Sequence, residues 1–114
     1  MIFCGVDDLV LENALFGAKG WVCGLVNTFP KEAVQLFRLA REGKVREAYE
    51  LYKWFMPLLH LDVDVKLVQM IKLANQLTGE GSENVRPPRL TLKGEERAMV
   101  ERVVAHALET RPNL

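Results

Sequence analysis

The sequence predicts an α/β protein in which two short parallel strands, each followed by a helix, lead into three further helices. Three observations carry this. Short apolar runs at Met1–Cys4 and Trp21–Cys23 are flanked by glycine, each precedes a helical apolar stripe, and after Gly43 no further strand-like run appears. A strand feeding a helix, twice over, is the grammar of a parallel sheet covered by helices.

Met1–Cys4 reads as a strand stopped by Gly5. Asp7 and Asp8 can cap a helix over about Leu9–Phe16, with Leu11, Ala14 and Leu15 on one face and Gly17 at its end. Trp21-Val22-Cys23 is short and β-prone, the pattern of a strand buried on both faces. Asn27 and Thr28 can cap the helix that Pro30 opens, which runs to about Arg41 with Ala33, Leu36, Phe37 and Ala40 inward.

Lys44 to about Leu58 is the next helix, which Pro57 should kink or end. After the connector His60–Asp62, Asp62 or Asp64 caps a helix to about Leu77, with a stripe of Leu67, Met70, Ile71 and Ala74. Val85-Arg-Pro-Pro-Arg-Leu90 should be extended, because each proline restrains the residue before it. Thr91 introduces a last helix over about Lys93–Glu109, with Met99, Val100, Val103, Val104 and Ala107 inward.

The 114 residues carry 15 basic and 15 acidic side chains, so net charge favours neither nucleic acid nor an anionic membrane as partner. No run approaches the ~18 apolar residues of a membrane span, and the N-terminus lacks a secretion pattern. Cys4 and Cys23 read as reduced, buried thiols of a cytoplasmic protein, a disulfide being the other reading. Two strands of about four residues leave most backbone groups on their outer edges unpaired. The expectation is a barrel or open sheet missing its N-terminal strands, in a chain that self-associates through strand edges or apolar helix faces.

Gly5-Val-Asp-Asp8, Gly17-Ala-Lys-Gly20, Asn27 with Pro30, Arg41-Glu-Gly-Lys-Val-Arg-Glu-Ala48 and Val85-Arg-Pro-Pro-Arg-Leu90 together resemble the C-terminal end of the dihydrodipicolinate synthase/N-acetylneuraminate lyase family of class I aldolases. The resemblance implies the last two β/α units of a (β/α)8 TIM barrel, strands seven and eight with their helices, at residues 1–43. A three-helix C-terminal domain then follows at 44–114. A whole barrel needs ~250 residues. Trp54 to Lys66 and Gly81 to Arg89 are similar to the subgroup that deaminates 1-pyrroline-4-hydroxy-2-carboxylate in hydroxyproline catabolism.

The family chemistry uses a Schiff-base lysine, a proton-relaying tyrosine and a threonine pair. In the resemblance all of these fall before Met1. Lys19 in a turn, and Lys66 and Lys72 off the apolar stripe, lack the desolvation that a Schiff-base lysine needs. No residue is therefore expected to be catalytic, and the chain alone is expected to be inactive. Gly5, Asp7, Val22, Cys23 and Gly24 are expected to form walls of a 2-oxo acid or imine pocket in an intact barrel, against ordinary strand-end packing. No metal or organic cofactor is expected. The partners implied are the substrate in the intact barrel, a homo-oligomer or a complementing N-terminal fragment, and no nucleic acid or membrane.

Competing readings attach to several groups. Asp7 and Asp8 fit capping more simply than acid/base chemistry, and His60-Leu-Asp62-Val-Asp64 fits a connector and cap more simply than a metal grip. His106 reads as a partly buried or solvated side chain. Val85–Leu90 fits an ordered connector better than a polyproline ligand, with Arg86 and Arg89 placed to pair with acidic groups. Trp54, Phe55 and Met56 fit core or subunit interface. A different class of function is a non-catalytic helical interaction module.

Overall fold

The computed structural model describes residues Met1 to Leu114. Two β/α units open the chain. Strand β1 (Phe3–Cys4) leads through a 3-10 turn (Asp7–Leu9) into helix α1 (Val10–Leu15). Helix α1 ends where Gly17 takes φ +100°, a conformation costly for any residue with a Cβ. There the Ala18 N–H reaches the Asn13 carbonyl (2.9 Å) and the Gly17 N–H that of Ala14 (3.1 Å), which satisfies the helix end.

Strand β2 (Gly20–Trp21) runs parallel to β1, with Phe3 opposite Gly20 and Cys4 opposite Trp21. It is shorter and earlier than the expected Trp21–Cys23. Val22 still donates to the Cys4 carbonyl at 2.9 Å, but the Gly24 and Leu25 amides turn away to a side-chain acceptor. Burial on both faces is not seen either. Cys4 is buried, whereas Phe3 is 57% and Val22 69% exposed, because nothing covers the second face.

After a 3-10 turn (Leu25–Asn27) comes helix α2 (Pro30–Arg41), opened by Pro30 as expected. Asn27 and Thr28 do not cap it. Asn27 Nδ2 donates back to the Gly24 carbonyl (2.9 Å), and the Thr28 hydroxyl bonds the Asn75 side chain in a later helix. Helix α3 (Val45–Leu59) continues through Pro57 rather than stopping there. Pro57 and Lys53 both lie on its exposed side, so the Lys53 carbonyl that loses a donor faces solvent.

A 3-10 turn (His60–Val63) connects to α4 (Leu67–Leu77), and Asp64 accepts from the Lys66 amide at 2.8 Å. Neither candidate caps the helix: the Asp64 bond reaches Lys66, which precedes the first helical turn, and no side-chain cap is made there. Within α4 the buried residues are Met70, Ile71, Leu73 and Ala74, while Leu67 is half-buried. The proline segment is not extended, since Arg89 N–H closes a turn onto Arg86 O at 3.1 Å. Neither Arg86 nor Arg89 has a carboxylate within ion-pair distance; Arg97 instead pairs with Glu83 and Glu101. Helix α5 (Gly94–Glu109) buries Val100, Val104 and Ala107 without a side-chain cap from Thr91, and His106 is exposed on it. One apolar core runs from Cys4 through Phe29, Leu36, Phe55 and Leu73 to Ala107, so the β/α units and the later helices share their packing. Phe55 is fully buried within it, with Trp54 stacked on its ring (5.4 Å) and Met56 beside them.

Candidate substrate-facing site

The parallel pairing brings Gly5 and Val22 side by side where the two strands end. Both are exposed, and Cys23 and Gly24 behind them are half-buried. Asp7 is not on that surface. It is fully buried beneath it, and its carboxylate accepts four hydrogen bonds from the exit of β2. Trp21 Nε1 (2.9 Å) and the Gly24 amide (3.2 Å) donate to Oδ1, and the Leu25 amide (2.9 Å) and Cys23 Sγ (3.4 Å) donate to Oδ2. A buried carboxylate is tolerable only when its lone pairs are satisfied in this way. Asp7 thus fastens the segment that carries Val22, rather than capping α1. Asp8, which also makes no cap, faces His60 at 3.7 Å.

The electrostatics follow from that buried charge. Burial, reinforced by the neighbouring Asp7 carboxylate, pushes the Cys23 thiol far up, so it stays protonated and serves as a donor. Cys4 is raised as well, chiefly by burial, and both thiols are free. Burial and then the Asp7 charge raise Asp62. Tyr52 is raised by burial and by its contact with Glu12, and its hydroxyl lies within reach of the Glu12 carboxylate (2.8 Å) and the Asp8 carbonyl.

Asp62 and Gly24 meet closely. A Cβ on Gly24 would lie 2.3 Å from Asp62 Oδ1 and 2.9 Å from Ile71 Cδ1. Asp62, Asn27, Lys72 and Asn75 then line a polar cleft between the β2 exit and α4. The other lysines lie elsewhere: Lys19 is exposed in its turn, and Lys66 pairs with Glu96 at 2.6 Å. No group of three or more His, Cys, Asp or Glu side chains is placed to hold a metal ion, including His60–Asp64. No helix is long and apolar enough to cross a membrane.

Sequence reading missed a second buried carboxylate. Glu32 in α2 is 2% exposed and pairs with Arg111 Nε at 2.5 Å, which also sits over the Phe29 ring. Its partner lies 79 residues away, and no local pattern announces such a pairing.

Parallel strands whose carboxyl ends open side by side, each backed by a helix, define a piece of the β/α enzyme class in which sites form at strand C-termini. The model of the Dihydrodipicolinate synthetase family matches residues 1–107, and the chain belongs to that family. It is 32% identical over 87 residues to the 4-hydroxy-tetrahydrodipicolinate synthase of Methanococcus vannielii, covering 76% of this chain and 30% of that protein. To the "Probable 2-dehydro-3-deoxy-D-pentonate aldolase YjhH" of Escherichia coli it is 30% identical, covering 83% and 32%. The crystal structure of dihydrodipicolinate synthase from Agrobacterium tumefaciens superposes with a TM-score of 0.80 at 26% identity, covering 90% of this chain and 35% of that one. The chain therefore spans about a third of the length of the relatives it matches.

Proposed function

We propose that this chain forms barrel strands seven and eight, their helices and the helical C-terminal domain of a cytoplasmic Schiff-base-forming lyase or deaminase. Its substrate would be a small 2-oxo acid or cyclic imine carboxylate, with 1-pyrroline-4-hydroxy-2-carboxylate the specific candidate from the subgroup resemblance. The exposed pair Gly5 and Val22 at neighbouring strand ends carries this reading. In it Gly5, Val22, Cys23 and Gly24 are pocket wall, and Asp7 is the fastener beneath. The reacting lysine and tyrosine belong to the N-terminal part of the barrel, outside these 114 residues.

The raised Cys23 thiol supports a wall role, since a protonated sulfur held by Asp7 is no nucleophile. The test is co-expression with the part of the Agrobacterium tumefaciens synthase that this chain does not cover. Pyruvate and borohydride should leave a covalent adduct on that companion polypeptide only, and this chain alone should take none. An adduct on this chain, or none on a purified complex, rejects the reading.

A further inference from the structure

Three cations of the chain are half-buried, Lys66, Lys72 and Arg97. Lys66 holds Glu96, and Arg97 holds Glu83 and Glu101, but Lys72 joins no ion pair. The half-buried carboxylates divide in the same way. Glu83 and Glu101 share Arg97, Asp8 faces His60, and Asp62 alone has no basic partner. These two uncompensated charges line one cleft of about 410 Å3, between the β2 exit and α4, without pairing. Charge drawn out of water without a counter-charge is unfavourable, and a ligand that supplies both counter-charges relieves it.

The other polar groups of the cleft sort by element. Asn27 gives an Nδ2 hydrogen to the Gly24 carbonyl (2.9 Å), which leaves its Oδ1 as an acceptor. Asn75 takes the Thr28 hydroxyl on Oδ1, which leaves its Nδ2 as a donor. Val68, Lys72 and Asn75 recur at helical spacing and share one face of α4, with apolar Ile71 beside them. Asp62 is backed by the β2 exit, since a Cβ on Gly24 would lie 2.3 Å from its Oδ1. Burial and the Asp7 charge hold its carboxyl above the ordinary value, so a cation beside it is favoured.

Acceptors thus come from Asp62 and Asn27, donors from Lys72 and Asn75, and apolar surface from Val68 and Ile71. A simple amine leaves Lys72 without a counter-charge, and a simple carboxylic acid leaves Asp62 without one. A phosphate ester sets its negative charge against Asp62. An ammonium and a carboxylate on one small apolar molecule satisfy every group.

We propose that this cleft binds a free α-amino acid with an apolar side chain, its ammonium on Asp62 and Asn27 and its carboxylate on Lys72 and Asn75. This ligand is independent of the reaction proposed above, and failed borohydride trapping would leave it standing. The test is an NMR titration of the 114-residue chain at neutral pH with L-leucine as the probe. L-Leucine should shift the amide signals of Gly24, Asn27, Lys72 and Asn75 saturably. Isocaproate, which lacks the ammonium, and isoamylamine, which lacks the carboxylate, should each bind at least about ten-fold more weakly. Glycine should also bind more weakly, because it brings no side chain to Val68 and Ile71.

Asp62→Asn and Lys72→Gln should each weaken L-leucine binding about ten-fold or more. Lys19→Gln, at an exposed turn, should match the parent chain. The two truncated ligands probe the same contacts without altering the fold. No saturable shift up to the solubility limit of L-leucine overturns the site. Isocaproate or isoamylamine binding as tightly as L-leucine overturns it too, since one charged end would then do nothing. Glycine binding as tightly as L-leucine overturns the apolar ligand class. Strong coupling between Asp62→Asn and Lys72→Gln in the stability of the ligand-free chain shows that the two charges pair with each other, and likewise overturns the proposal.

Discussion

The carboxylate of Asp7 accepts the indole N–H of Trp21 at 2.9 Å, tying the end of one strand to the side chain of its neighbour. With the Gly24 and Leu25 amides on the same carboxylate, this bond fixes the course of the chain after β2. It thereby sets where Val22 is presented.

Replacing Asp7 with alanine leaves those donors buried without an acceptor. Each such group costs ~1–3 kcal/mol, part of which relaxation recovers, so a loss of about 3 kcal/mol is expected. Urea unfolding should show a lower midpoint with an unchanged slope. Asp7→Asn keeps the size but places an amide against N–H donors, so it should also destabilise. A loss below ~0.5 kcal/mol in both variants would show that the carboxylate is dispensable.

Gly24 is required by close approach rather than by backbone angle. Gly24→Ala should cost ~1–3 kcal/mol, as overpacking does, because the new methyl meets Asp62 Oδ1 and Ile71 Cδ1. Asp62→Ala in the same chain should recover much of that loss. A double-mutant cycle measures the coupling, and additive single effects would contradict the contact.

Asp62 makes stability depend on pH with a definite sign. Its folded-state pKa lies above the unfolded value, through burial and then the Asp7 charge. The native state thus binds the proton more tightly, and stability falls as pH rises from the unfolded pKa, ~3.9, through the folded one. Asp62→Asn should be more stable than the parent at pH 7, with the advantage vanishing once both states are protonated in acid. Thermal melts at the two pH values check this. An advantage independent of pH would assign the effect to something other than the charge.

The C-terminal tail is held by one ion pair. Arg111→Ala strands the Glu32 carboxylate at 2% exposure, a situation costing ~3–5 kcal/mol where both partners are buried. The Arg111 side chain is 42% exposed, so solvent screening reduces the expected loss to about 1–3 kcal/mol. Limited proteolysis should cut the tail faster in the variant. In contrast Lys66→Ala, which breaks the exposed pair with Glu96, should change stability by less than ~0.5 kcal/mol.

Much of the fold was legible because its signals are local. Gly17 and Gly43 close helices, Pro30 opens one, and apolar spacing marks all five helices. The misplaced features are those decided at a distance. Thr28 looks like a cap, but its hydroxyl finds Asn75 across 47 residues. Pro57 looks like a break, yet buried Leu58 and Leu59 carry the helix past it.

The sequence by itself determined the order of elements, the family and the end of the first strand at Gly5, since glycine, proline and apolar period act on neighbouring residues. Only the tertiary structure decided that Asp7 is a buried fastener, that Asp62 rests on Gly24 and that Glu32 holds the tail. Each depends on which donors folding carries to a carboxylate, and the desolvation that makes those bonds matter exists only in the packed chain.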